Sequence, residues 1–289
     1  MVAAVLGAGG TMGRGIARRL AGAGIEVRAW NRSAEKIAGL DGEQGIAACA
    51  GAAEAATGAE VLITMVSDGE AVLEAMDGPG GGFAGAGAGA IWLQASTIGI
   101  EATARCAELA AEHDLIFVDA PVLGTKQPAE EGQLVVLASG PPEARAALEP
   151  VFEAIGKRTL WVGEAGAGSR LKIAVNSWIV SVVEGTAEML ALAEAVGVDP
   201  RLTLEALAGG PLDLPYMRLK AEAMLERRFE PSFSLALAAK DAGLALSAAR
   251  AAGLDLPMLT AIGERMAAAA REHGDEDMAA VYLASAASD

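Results

Sequence analysis

Directly after a short apolar run, Val2-Ala3-Ala4-Val5-Leu6, the chain reads Gly7-Ala8-Gly9-Gly10-Thr11-Met12-Gly13-Arg14-Gly15 and then passes into an Ala-rich stretch. A strand that turns through clustered glycines into a helix leaves few architectures open. Glycines permit a tight turn and let backbone N–H groups approach an anion at the positive end of the helix, the arrangement that cradles a pyrophosphate in dinucleotide-binding βαβ units. Gly7, Gly9 and Gly13 are spaced as GxGxxxG, one residue longer than the usual GxGxxG. The expected pyrophosphate contacts are Gly7, Gly9, Gly10, Thr11, Met12 and Gly13.

The remaining pattern agrees with that start. Strand-like runs at Val2–Leu6, Glu26–Trp30, Val61–Val66, Ala90–Gln94, Ile116–Asp119, Leu134–Ala138 and Thr159–Val162 alternate with helix-favouring stretches such as Gly13–Ala23 and Ile100–His113. Past Gly163 strand signals stop, and Gly168–Gly197 reads as one long helix followed by further helical segments. The expected fold is α/β: an N-terminal Rossmann doubly wound sheet over residues 1–163, then an all-helical C-terminal domain over residues 164–289, joined by a long interdomain helix. Such a helix is about 45 Å long and apolar on more than one side, so it needs a cover. A second subunit or the later helices of the same chain would supply it, and a homodimer or higher homo-oligomer is expected. Only 4% of the 289 residues are aromatic while glycine contributes 36, so close packing of small side chains is anticipated. The Gly-Ala stretch Gly78–Gly89 reads as a loop.

Charge and composition exclude several function classes. The balance of 22 Lys and Arg against 38 Asp and Glu, net −16, repels a phosphate backbone and argues against nucleic-acid binding. The longest nearly charge-free apolar stretch, Ile173–Val183, is far shorter than the ~20 residues a bilayer requires. No basic leader precedes the first strand, and a cytoplasmic enzyme with no membrane partner is expected. Cys49 and Cys106, in no CxxC pattern, read as buried small hydrophobes. With two histidines, His113 and His273, neither a metal centre nor a His-dependent triad is expected.

At the tip of the second strand, where an NAD site places an acidic residue on the ribose, stands Asn31-Arg32-Ser33. A guanidinium fork and a hydroxyl suit a 2′-phosphate, so NADP(H) is the expected cofactor. Met65 and Val66, closing another strand, should lie near it because ligands gather at the carboxyl ends of parallel strands.

Four further segments complete a set: Gln94-Ala95-Ser96-Thr97, Asp119-Ala120-Pro121-Val122-Leu123-Gly124-Thr125, Gly168-Ser169-Arg170-Leu171-Lys172-Ile173-Ala174-Val175-Asn176, and Phe233 through Lys240-Asp241. With the glycine turn they make the chain resemble, over nearly its whole length, the β-hydroxyacid dehydrogenases, which include 3-hydroxyisobutyrate dehydrogenases and glyoxylate/succinic semialdehyde reductases. The resemblance implies hydride transfer between a nicotinamide and a small hydroxy acid or semialdehyde in a cleft between the two domains. Lys172 would be the catalytic lysine, with Asn176 orienting it or the substrate. Ser96 and the backbone of Val122–Thr125, with Gly124 and Thr125 foremost, would hold a substrate carboxylate, and Lys240 would contact the cofactor. Physically, Lys172 and Asn176 are i and i+4 on one helix face, and a lysine with a lowered pKa can protonate a developing alkoxide.

The chain departs from the family's DAPVSGG, with Leu123 for Ser and Thr125 for the second Gly, which bears on substrate identity. The related 6-phosphogluconate dehydrogenases decarboxylate with a glutamate two turns after the lysine; here Ile179 stands there, although Glu184 and Glu188 lie on later turns. Imine reductases, the alternative reading, usually carry Asp or Tyr where Lys172 stands. A non-catalytic NADP-binding sensor is the reading furthest from these.

Overall fold

The protein is described from a computed structural model over residues 1–285. Two compact units divide it, Met1–Lys172 and Ile173–Asp289. The first holds β1 (Val2–Leu6), α1 (Thr11–Gly22), β2 (Glu26–Trp30), β3 (Ile46–Ala48), α2 (Ala52–Ala56), β4 (Val61–Thr64), α3 (Gly69–Asp77), β5 (Ile91–Gln94), α4 (Ile100–Glu112) and β6 (Ile116–Asp119). It continues through β7 (Val122–Leu123), α5 (Lys126–Glu131), β8 (Leu134–Ala138), α6 (Ala144–Ile155), β9 (Gly156–Trp161) and the start of α7 (Ala167–Ala195).

Six strands form one sheet in the order β3-β2-β1-β4-β5-β6, every pair parallel. The chain therefore winds outward from β1 in both directions, and the carboxyl ends of β1 and β4 meet where it reverses. Both faces are buried, and the two-residue period of a strand decides which core each side chain joins. Ala3 and Val5 of β1 pack with Ile16, Ala17 and Leu20 of α1 and with Leu148, Val151 and Phe152 of α6. Ala4 and Leu6 face Val72 and Met76 of α3 and Cys106 and Leu109 of α4. As the composition requires, helices approach through small residues: a Cβ on Gly15 of α1 would lie 2.9 Å from the Ala129 carbonyl carbon of α5.

Sequence and structure differ at three places in this unit. β3 carries no long β-branched run, being Ile46-Ala47-Ala48, and forms because Val27–Ala29 of β2 offers it a parallel edge. The expected last strands, Leu134–Ala138 and Thr159–Val162, do not extend the main sheet. They become β8 and β9 of a separate three-stranded sheet, β7-β8-β9, in which β7 runs antiparallel to β8. Cys106 is buried as expected, whereas Cys49 is half-exposed at the end of β3.

The second unit contains the rest of α7 with α8 (Arg201–Leu207), α9 (Pro215–Leu225), α10 (Leu235–Ala251) and α11 (Pro257–His273). Val180, Val183, Ala187 and Leu190 of α7 recur at helical spacing and share a core with Met224 of α9, Ala238 and Ala242 of α10 and Met266 of α11. Trp178, which an apolar helix pattern would assign to a core, instead faces solvent. No helix among the described residues is long and apolar enough to cross a membrane.

A buried ion pair organises the entry to α10. Lys220 Nζ donates to Asp277 Oδ1 at 2.6 Å and to Ser232 Oγ at 3.2 Å, while Asp277 Oδ2 accepts from the Ser232 N–H at 3.0 Å and its hydroxyl at 2.8 Å. Burial alone would raise the Asp277 pKa, yet the Lys220 charge and these donors hold it below the usual carboxylate range. Removing one partner leaves the other charge buried and uncompensated. Lys220→Met is expected to cost about 3 kcal/mol in urea unfolding near neutral pH, and less as acid protonates Asp277.

Candidate active site

The glycine turn joins β1 to α1 through contacts that exclude a side chain. Gly7 has φ +102°, and a Cβ there would lie 2.2 Å from the Met65 carbonyl oxygen; a Cβ on Gly13 would lie 2.2 Å from the Gly7 oxygen. The turn is thereby pressed against the residue that follows β4. Gly10 caps α1 without a side-chain hydrogen bond, and no acidic residue occupies the first turn. N–H groups at Thr11, Met12 and Gly13 thus present a positive helix end with no competing carboxylate of their own helix.

Across the turn, the Gly9 N–H donates to Asn31 Oδ1 at 3.3 Å, and Asn31 Nδ2 donates to the Ser33 carbonyl at 3.1 Å. This fixes the loop after β2 against the glycine turn. Arg32 reaches from that loop to Glu74 of α3 at 2.9 Å, both side chains largely in solvent, and Arg14 of α1 donates to the Lys36 carbonyl. Three cations, Arg14, Arg32 and Lys36, therefore stand around the glycine turn on a strongly anionic chain.

Met65 and Val66 are held by a buried network at the ends of β4 and β5. Trp92 Nε1 donates to Thr64 Oγ1 at 3.0 Å, Gln94 exchanges bonds with the Ser96 N–H and carbonyl at 2.7 and 2.8 Å, and Ser96 Oγ accepts from the Val66 N–H at 2.9 Å. The Ser96 hydroxyl also donates to the Thr64 carbonyl at 3.2 Å, a long bond for O–H···O. The Ser96 side chain thus braces Val66. Gly124, at φ +130°, and Thr125 precede α5, whose Ala129 packs on α1; the Thr125 side chain makes no capping bond to α5.

The start of α7 is closed by Asp119, the last residue of β6. Asp119 Oδ2 accepts from the Ser169 N–H at 2.7 Å and from Ser139 Oγ at 3.1 Å, and Oδ1 accepts from Ser169 Oγ at 2.7 Å. Ser139 Oγ also takes the Gly168 N–H at 2.9 Å, and Thr103 Oγ1 of α4 lies 3.1 Å from Ser169 Oγ. With Ala167 N–H on the Glu164 carbonyl and Arg170 N–H on that of Gly166, the first turn has its amides satisfied. Burial pushes the Asp119 pKa up while these hydroxyl and amide donors oppose it.

One turn on, Lys172 is buried at 9% exposure, and Asn176 at 3% follows on the same face of α7. In the second unit Asn176 Nδ2 donates to Asp241 Oδ2 of α10 at 2.5 Å, and Asp241 Oδ1 lies 3.1 Å from Lys240 Nζ. That bond turns the Asn176 amide so that Oδ1 is buried with no hydrogen-bond partner among the described residues. It is an acceptor set for a donor from elsewhere.

The first unit thus brings together Gly7, Gly9, Gly10, Thr11, Met12, Gly13, Asn31, Arg32, Ser33, Met65, Val66 and Ser96 at one edge of its sheet. The second brings together Asn176, Lys240 and Asp241. Sequence reasoning quoted Asp119, Ser169 and Asp241 within motifs but gave them no role, because their partners lie 50 and 65 positions away. Glu184 lies twelve residues beyond Lys172, about 18 Å along the helix, too far for a proton at the same centre. It faces Arg265 of α11 at 2.7 Å instead.

Burial pushes the Glu184 pKa up to about 7, although Arg265 pulls against it. A carboxyl whose folded pKa exceeds its unfolded one favours the folded state below the unfolded value, and that contribution is lost as pH rises through the folded pKa. Glu184→Gln is expected to raise the thermal midpoint near pH 8 and to leave it nearly unchanged near pH 5, read by scanning calorimetry.

Residues 3–163 match the family model for the NAD-binding domain of 6-phosphogluconate dehydrogenase, and residues 166–284 that for the NAD-binding region of NADP-dependent 3-hydroxyisobutyrate dehydrogenase. Glyoxylate/succinic semialdehyde reductase 2, chloroplastic, of Arabidopsis thaliana is 30% identical over 95% of this chain and 77% of its own length. Reductase 1 of the same plant is 31% identical over 95% of each chain. A 3-hydroxyisobutyrate dehydrogenase of Mycobacterium tuberculosis, solved with L-serine, superposes with TM-score 0.85 at 28% identity over 98% of both chains. One from Salmonella typhimurium gives TM-score 0.89 over 98% of this chain and 99% of that one, at 24% identity. An imine reductase of Myxococcus stipitatus shares the fold, with TM-score 0.67 at 18% identity over 98% of this chain and 99% of that one.

Proposed function

The chain belongs to the β-hydroxyacid dehydrogenase family of NAD(P)-dependent oxidoreductases, and from that premise we propose that it is an NADP(H)-dependent reductase of small carboxylated aldehydes, reversible toward the hydroxy acid. The observation that carries this reading is the pair Lys172 and Asn176, both buried and one turn apart on α7, with Asn176 Oδ1 left as an unfilled acceptor. A surface lysine on an amphipathic helix would show neither feature.

The uncapped start of α1 and the glycine turn suit a pyrophosphate, and Asn31, Arg32 and Ser33 suit a ribose 2′-phosphate. When bound, the reduced nicotinamide supplies a hydride to the carbonyl carbon. Lys172 gives its proton to the carbonyl oxygen as negative charge develops there, and takes it back in oxidation. Asn176, its amide fixed by Asp241, accepts from the lysine ammonium or the substrate hydroxyl and so sets the direction of that proton. The backbone N–H groups of Gly124 and Thr125 and the Thr125 hydroxyl hold the substrate carboxylate. Ser96 joins them by releasing its long bond to Thr64. Lys240 completes the cofactor contacts.

Residues 1–163 then serve the cofactor and residues 164–289 the substrate and assembly. Trp178 and Leu192 are 62 and 64% exposed on one face of α7 and Val196, just past its end, is 65% exposed, a stripe we assign to a second copy of the chain. Light scattering at micromolar concentration should return at least a dimer; a monomer removes that assignment.

The test follows NADPH oxidation spectrophotometrically with glyoxylate, succinic semialdehyde and cyclic imines, and repeats it with NADH. Carboxylated aldehydes should turn over, Lys172→Ala should lower kcat by about a hundred- to ten-thousand-fold, and Arg32→Ala should raise KM for NADPH but not NADH. Turnover of imines alone, independent of Lys172, would replace this reading by the imine reductase one; tight NADPH binding with no turnover would favour the sensor.

A further inference from the structure

We propose that Glu74 of α3 is a specificity-determining residue for the cofactor, one that holds the Arg32 guanidinium against a 2′-phosphate and so restrains the preference for NADP(H) over NAD(H); this rests on the proposed role of Arg32. Arg32 follows the tip of β2, where a dinucleotide-binding sheet meets the adenosine ribose. Its Nη1 donates to Glu74 Oε2 at 2.9 Å, across 42 positions of sequence. The loop beneath is fixed independently by the Asn31 side chain, which accepts from the Gly9 N–H and donates to the Ser33 carbonyl. Of the three cations around the glycine turn, Arg14 is bound to the Lys36 carbonyl, and among the described residues Arg32 alone is ion-paired to a carboxylate.

The helix itself does not ask for an acid at this position. Val72, Ala75 and Met76 anchor α3 in the core, and Asp68 caps its start by accepting from the Ala71 N–H at 2.9 Å. Glu74 stands in the last turn, where the helix dipole disfavours a carboxylate, and one turn after Glu70, a like charge at i, i+4. Both relations cost the helix, and no basic residue of its last turn offsets them. The offset comes from Arg32, on another element. The ionic partner of this acid is therefore the side chain assigned to recognise the cofactor.

The pair is weak enough for a ligand to exchange. Its side chains are 73 and 56% exposed, and ion pairs in that setting contribute little to folding. A phosphate forms stronger, forked hydrogen bonds with a guanidinium. To do so here it takes donors from Glu74, or it shares the guanidinium with a carboxylate whose charge repels it. Binding of NADPH carries that cost. Binding of NADH does not, because a ribose 2′-hydroxyl is neutral and needs no cation. Glu74 thereby narrows the ratio of the two affinities without touching either cofactor, on a chain whose β2 tip lacks the acid that would favour NADH outright.

The experiment needs no turnover. Calorimetric titration measures the affinities for NADPH, NADH, 2′,5′-ADP and 5′-AMP in the wild type, Glu74→Gln, Glu70→Gln, Arg32→Ala and the double variant Arg32→Ala/Glu74→Gln, at low and at physiological salt. Glu74→Gln should bind NADPH and 2′,5′-ADP about three- to tenfold more tightly, with the larger gain at low salt. Its affinities for NADH and 5′-AMP should stay within about twofold of the wild type, and so should its thermal midpoint within about 2 °C. Glu70→Gln removes the same charge one turn earlier without touching Arg32, and its gain should stay below about twofold. In the Arg32→Ala background the gain from Glu74→Gln should fall to that level. Unchanged or weaker binding of 2′,5′-ADP by Glu74→Gln overturns the proposal, as does an equal gain in Glu70→Gln or in the double variant, which would make the effect a general one of surface charge. Weaker NADH binding without a gain for NADPH also overturns it, by making Glu74 an acceptor for the ribose. If Arg32→Ala binds 2′,5′-ADP as the wild type does, the reading of Arg32 beneath the inference fails. Loss in Arg32→Ala with no gain in Glu74→Gln overturns the inference alone.

Discussion

The chain leaves its main sheet at one buried carboxylate, and the position of α7 depends on it. Asp119 ends β6, bridges by its backbone to Ser139 just past β8, and binds the first turn of α7 through Ser169. One residue thus joins the end of the large sheet, the small sheet and a helix of 29 residues. An exposed cap would leave the helix start to fray, since terminal turns have amides without intrahelical partners. Here each of those amides has a partner within the first unit, so a lysine one turn later has a defined origin.

Glycine and alanine make this possible in a way larger residues could not. At Gly13 and Gly168 the main chain comes so near a carbonyl that a methyl group would stand 2.2 Å away. Close-packed interiors do not absorb such overlaps. The abundance of small residues, legible at once from composition, is therefore the condition for bringing a helix start against a strand end, both at the cofactor turn and at the lysine turn.

What the sequence carried well was local. The glycine turn, the ends of β1, β2 and β8, and the span of α7 follow from periodicity and turn chemistry over a few neighbouring residues. β3 escaped notice because Ile46-Ala47-Ala48 has little strand character of its own and is templated by β2. The small sheet escaped because strand signals give no register: Leu134–Ala138 reads the same whether it extends a parallel sheet or pairs antiparallel with a two-residue partner. Trp178 shows the limit of amphipathic reasoning, since periodicity places it on a face without saying whether this chain covers that face. Site residues that act in pairs were hidden for the same reason. Asn176 was legible beside Lys172, but the carboxylate that orients its amide lies on another helix.

The polar groups before and after Lys172 along α7 do different physical work. Toward the helix start the Asp119 carboxyl accepts hydrogen bonds from two serine hydroxyls and an amide, which oppose the upward push of burial on its pKa. One turn beyond Lys172 stands the neutral Asn176 amide, whose oxygen has no donor among the described residues. A buried acceptor without a partner costs stability, on the order of 1–3 kcal/mol, unless something fills it. The other buried polar atoms without a hydrogen bond, on Glu184, Asp241 and Arg265, belong to ion-paired groups, whereas the Asn176 oxygen belongs to a neutral amide one turn from a lysine. A donor arriving there gains what the fold has left unmade, and the hydroxyl of a hydroxy acid is such a donor, whereas the aldehyde it is made from is not. The oxygen therefore favours the state in which the proton has been transferred, and on the proposed reading Asn176 contributes by holding the product-like arrangement of the proton more than by gripping the substrate.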